Sequence, residues 1–92
     1  MTNTEKEIRS ILEEKFNPLF MEIINESHLH AGHMEASGGQ ATHFRITIVS
    51  ESFEGLLPIK QHRLIYAALQ KHLDEGLHAL ALTTVKASKW QA

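Results

Sequence analysis

Residues 42–50 read THFRITIVS, and this stretch decides the fold class. Phe44, Ile46 and Ile48 fall on one face while His43, Arg45 and Thr47 fall on the other, the period of two expected of a half-buried strand. Upstream, LFMEIINES (19–27) carries strand-forming Phe20, Ile23 and Ile24 between Pro18 and the polar Asn25-Glu26-Ser27. Downstream, LHALALTTV (77–85) returns to strand character. The intervening and flanking segments have a helical period instead. TNTEKEIRSILEEKFNP (2–18) puts Ile8, Ile11, Leu12 and Phe16 on one helical face. Thr4 and Glu7 have capping-box spacing there, and Asn17 before Pro18 ends the helix. A longer helix is expected after the Gly55 turn, with Pro58 in its first turn. Its apolar positions run from Ile59 through Leu64, Ile65, Ala68 and Leu69 to Leu73, and Gly76 is the C-terminal stop. KASKWQA (86–92) predicts a short final helix beginning near Ser88.

The order α-β-β-α-β-α describes a small α+β domain, a three-stranded mixed sheet with helices on one face. The first two strands pair antiparallel across a long connection, of a length that in compact domains is usually functional or mobile. The second and third are joined by a helical crossover, so in one sheet they run parallel with a right-handed connection. The start of the third strand, at His78, then shares a sheet edge with the start of the second, where the long connection ends.

That connection lies within NESHLHAGHMEASGGQATHF (25–44), which sets His28, His30 and His33 into six residues amid Gly, Ala and Ser that cannot build a core. The H-x-H-x-x-H spacing matches no standard zinc signature. His78 has a sharper context, after Gly76 and between Leu77 and Ala79 in an apolar strand. A histidine so placed is either held by a backbone carbonyl or helix end, or free to act as a ligand. His43, His62 and His72 read as surface or capping residues, the last two among Lys60, Arg63 and Lys71.

Composition narrows the function classes. The 92 residues make a single domain able to bury roughly 60–65% of its unfolded surface. With 42% hydrophobic and 22% charged residues the chain is globular and ordered. No apolar run approaches the ~18–20 residues that span a bilayer, and MTNTEKEIRS has no apolar signal core. A cytoplasmic location without a membrane partner is expected. Cysteine is absent, which removes disulfides, a thiol nucleophile and any thiolate ligand from this chain. Asp74 is the single aspartate, Glu13 and Glu14 are adjacent and diverge on a helix, and no G-x-S-x-G elbow or phosphate-cradling loop occurs. The chain therefore reads as a non-enzyme. A net charge of −2 gives no global attraction to nucleic acid.

Four segments together carry a recognisable pattern: NESHLHAGH, ATHFRITIVSESFEG, IKQHRLIYAAL and GLHALAL. The chain resembles the BolA family from about Glu5 to Trp90. The specific points are Thr42-His43-Phe44, Ser52-Phe53-x-Gly55, His62-Arg63 and His78-Ala79-Leu80. The resemblance implies a fold similar to type II KH domains and a partnership with a monothiol glutaredoxin. In that partnership a [2Fe-2S] cluster is bridged by the histidine of the last strand, His78 here, and a loop residue, carried onto His30, with His28 and His33 as substitutes. The inventory agrees, since His replaces Cys on one iron in Rieske-type centres and the thiolates must come from the partner and its glutathione. No cofactor is expected on the isolated chain, which should be a monomer or weak homodimer.

The alternative implied by the same resemblance is a DNA-binding transcriptional regulator. Lys60, His62, Arg63 and Lys71 would carry it, with Lys86 and Lys89 near the end of the chain. Against it, the chain has no G-x-x-G clamp, and Gln61 stands where the family often has a first arginine before His62-Arg63. A third reading is an interaction module whose histidines ligate nothing, and the basic residues are equally well a solvated helix face.

Overall fold

The computed structural model describes residues 3–26, 43–77 and 79–90. Helix α1 (Asn3–Phe16) leads into β1 (Phe20–Asn25), and β2 (His43–Ser50) follows the long connection. A 3-10 turn (Glu51–Phe53) precedes α2 (Pro58–Ala68) and α3 (Gln70–Asp74), then β3 (Ala79–Lys86) and a second 3-10 turn (Ala87–Lys89). The sheet order is β1-β2-β3, with β1 antiparallel and β3 parallel to the central β2. This is the mixed sheet that the alternation and the crossover predict.

The alternation in β2 sets the layers. Phe44, Ile46 and Ile48 are buried, at no more than 2% exposure, against Ile8, Leu12 and Phe16 of α1 and Ile65 and Leu69 of the second helical segment. Phe53 closes the core beside Phe16, ring centroids 5.6 Å apart. His43, Arg45 and Thr47 take the opposite, helix-free face, together with Phe20, Glu22 and Ile24 of β1.

Three polar devices tie the layers together. The buried Ser50 hydroxyl donates to the Phe16 carbonyl (2.7 Å), joining the end of α1 to the end of β2, and accepts from the Ser52 N–H. Gln61, also buried, donates through Nε2 to the Leu56 carbonyl (2.8 Å) and accepts from the Thr84 hydroxyl (2.6 Å), fastening α2 to β3. His72 sits with its Nε2 3.3 Å from Glu7 Oε1, between α3 and α1.

Several local expectations are met in altered form. Asn17 ends α1 with φ +43°, a left-handed cap whose N–H returns to the Glu13 carbonyl. Gly55 and Gly76 take positive φ, +76° and +123°, where a side chain would be strained, and Pro58 is the first residue of α2. Thr4 is already inside α1 and so does not cap it. The long helix expected from Ile59 to Gly76 is divided at Leu69, which takes φ −103°, ψ 13°. The break is shallow, because Leu69 N–H still reaches the Ile65 carbonyl and Leu73 N–H the Leu69 carbonyl. The final helix is reduced to the 3-10 turn at Ala87–Lys89.

One histidine assignment is corrected. His72, expected as a surface or capping residue, is buried at 6% exposure, because α3 turns it toward α1, where Glu7 meets the ring. Its carbonyl also accepts the Glu75 and Leu77 N–H groups, closing α3.

The Gln61 network gives a stability prediction. Gln61→Leu keeps most of the volume but strands the Thr84 hydroxyl and Leu56 carbonyl, and is expected to lower the unfolding free energy by about 1–3 kcal/mol in urea titration. A variant as stable as the parent would show that these hydrogen bonds contribute nothing net.

Candidate functional site

The sheet register determines which chain ends lie together. In the antiparallel pair Asn25 is opposite Phe44, and Glu26 N–H continues the ladder to the His43 carbonyl (2.9 Å). In the parallel pair His43 is opposite Ala79. The end of β1, the start of β2 and the start of β3 therefore form one rim of the sheet. Both chain ends of segment 27–42 are anchored there, and so are Leu77 and Ala79, the neighbours of position 78. His28, His30, His33 and His78 themselves lie outside the described residues. Among the described residues no three His, Asp or Glu side chains converge as a metal cage.

Sequence reading did not find the ion pair at this rim. Arg45 Nε donates to Glu26 Oε2 at 2.9 Å, linking the last residue before the long connection to the central strand. This hydrogen bond, with the attraction of the carboxylate, raises the guanidinium above its already high ordinary pKa. The two lie nineteen positions apart in the sequence, and only the β1–β2 register reveals the pairing.

The basic candidates are split. Lys60 and Arg63 are exposed on α2 and line, with Leu56 and Leu64, a shallow groove of about 230 Å³. His62 is half-buried beside them. Lys71 belongs to a different cavity, about 360 Å³, shared with Lys6, Glu7, Ser10, Ile11 and His72 between α1 and α3. Lys86 is half-buried near Glu54, and Lys89 is exposed.

At the far end of the sheet a second feature escaped the sequence. Glu54 accepts the Ser88 backbone N–H at Oε2 (2.8 Å) and its hydroxyl at Oε1 (3.0 Å). Past this clasp the chain brings Trp90 onto Phe20 of β1, ring centroids 6.0 Å apart and nearly parallel. The clasp joins residues 34 apart through a serine and a glutamate in unremarkable local sequence, so no short-range signal announces it.

With this geometry in place, comparison with known proteins is decisive. The family model described as BolA-like protein matches residues 12–89. The chain belongs to the BolA-like family. BolA-like protein 1 of Bos taurus is 42% identical over 87 residues, covering 95% of this chain and 62% of the cattle protein. The chain thus spans less than two thirds of that relative's length. DNA-binding transcriptional regulator BolA of Vibrio cholerae is 39% identical over 84 residues, 91% of this chain and 76% of its own. Among solved structures, the BolA domain of SufE1 from Arabidopsis thaliana superposes with a TM-score of 0.87 at 36% identity, covering 98% of this chain and 99% of that one. Among the described residues no helix of this BolA-like chain is long and apolar enough to cross a membrane.

The Ser88 clasp gives the BolA-like domain a pH signature. The Ser88 backbone N–H has the largest effect on Glu54 and holds its carboxyl below the ordinary value of 4.5; partial desolvation opposes this, and the Ser88 hydroxyl and Lys86 add to the lowering. A depressed folded-state pKa means that the clasp stabilises fully above the ordinary carboxylate range and is lost as pH falls through the lowered value. Thermal unfolding should therefore separate the parent from Glu54→Gln at about pH 7, with the two midpoints converging as pH falls below the ordinary carboxylate range. A gap that widens on acidification would contradict the assignment.

Proposed function

We propose that this BolA-like chain acts with a monothiol glutaredoxin and co-ligates a bridging [2Fe-2S] cluster through His78 and His30, in iron-sulfur trafficking or iron and redox regulation. The observation that carries this reading is the register that gathers the anchors of segment 27–42 and the neighbours of position 78 at one rim. The donor set suits the group. Imidazole ligates one iron of Rieske-type clusters, and a chain without cysteine leaves the thiolate positions to a partner and its glutathione. The likeness to the BolA domain of SufE1 supports a link to iron-sulfur chemistry. In this reading the protein's own contribution is to bring two neutral imidazoles to one edge on a rigid sheet.

The test is visible absorption and circular dichroism of the chain titrated into a cluster-loaded monothiol glutaredoxin. A new stable spectrum is expected with the parent. It should be lost in His78→Ala and His30→Ala, while both variants keep the far-ultraviolet spectrum of the fold. His28→Ala and His33→Ala should retain it. An unchanged spectrum in His78→Ala would refute the ligand assignment.

A second reading, DNA binding, is supported by the name of the Vibrio cholerae relative and by the cations on α2. If Lys60, Arg63 and Lys71 each neutralise one phosphate, log affinity should fall against log salt with a slope of about −2.7. Tight, salt-insensitive binding would mean that other groups carry the interaction.

A further inference from the structure

We infer that the outer face of α2 is a docking surface for an acidic, apolar helical segment of another protein, separate from the histidine rim. The buried side of α2 is taken up by Gln61 and Ile65, with Ala68 packed partly against the core. Away from the core α2 exposes large apolar residues on two flanks, Ile59 at 59% and Tyr66 at 39% on one and Leu64 at 39% on the other, with Leu57 at 67% just before the helix. Lys60 and Arg63 stand between them, and the groove they share with Leu56 and Leu64 is apolar-walled and cation-rimmed.

The charge is one-sided. PIKQHRLIYAA contains Lys60, His62 and Arg63 and no acidic residue, in a chain whose net charge is −2. Glu54, the acidic residue closest before the helix, is committed to Ser88. A segment that fits both features offers leucine-like side chains to the groove and carboxylates to the two cations, the pattern of an amphipathic helix laid in a groove. The apolar share argues against a nucleic-acid backbone, which would satisfy Lys60 and Arg63 but leave Leu57, Ile59 and Leu64 unmatched.

Position makes the surface independent of the rim. α2 begins after β2 has run its eight residues, about 25 Å, away from the rim. Gln61 is fastened to Thr84, which pairs with Ile48 toward that far end. A partner on α2 and a partner at the rim can be held together on one domain.

The test uses the full, isotope-labelled chain and a designed helical peptide with Leu at every third and fourth position and Glu elsewhere. The same peptide with Lys for Glu, and a short DNA duplex, are compared at physiological salt. Saturable amide shifts confined to residues 56–67 are expected with the acidic peptide. The exposed-site variants Lys60→Glu/Arg63→Glu and Leu64→Ser should each weaken it by about tenfold or more, with helical content unchanged. Absence of saturable shifts, equal binding of the Lys peptide, tighter binding of the duplex at these residues, or self-association of the free chain through them would each overturn the proposal.

Discussion

Parallel pairing of β2 with β3, from His43 opposite Ala79 to Ser50 opposite Lys86, is the constraint on which the rest of the molecule depends. Parallel neighbours cannot be joined by a tight turn, so the chain must leave the far end of β2, cross over the sheet and return to the rim. That crossover is α2 and α3, and its apolar side, with α1, covers the buried face of Phe44, Ile46 and Ile48. The same requirement separates the molecule into two ends. One is the rim, where the strand starts, the long connection and position 78 are attached. The other holds the beginning of α2, the Ser50 and Gln61 networks and the Glu54–Ser88 clasp.

The polar contacts are placed to secure that arrangement rather than to supply bulk stability. Ser50 and Gln61 are buried and fully engaged, each joining a helix to the sheet, so their loss would leave unpaired groups in a dry environment. The clasp and the Arg45–Glu26 pair lie near the surface and work at opposite ends, the first holding the C-terminal turn so that Trp90 stacks on Phe20, the second closing the mouth of the long connection. The BolA-like fold is thus tied at both ends of a short sheet.

What the sequence disclosed follows from the range of the physics involved. The two-residue period of β2 and the crossover length were enough to give the mixed sheet and the parallel pair, because periodicity and chain connectivity are local or topological properties. The burial of His72 was not legible, since it depends on how α3 meets Glu7 of α1, and no glycine or proline marks the shallow break at Leu69. The clasp, spanning 34 residues, and the Arg45–Glu26 pair have no local signature at all. Of the site, Lys60 and Arg63 were visible as charges, whereas the groove they share with Leu56 and Leu64 appears only once Gln61 and Ile65 are turned inward. The four candidate ligand histidines lie outside the described residues, so the resemblance and the geometry of their anchors carry that part of the account.

The most direct measurement is pulsed electron paramagnetic resonance on the reduced mixed complex, with this chain alone carrying nitrogen-15 in its histidines. The account predicts nitrogen-15 hyperfine couplings from two imidazoles in the parent complex, and no mixed-cluster signal from His78→Ala or His30→Ala. A reduced cluster in that complex with no nitrogen-15 coupling would contradict it, because every ligand would then come from the partner.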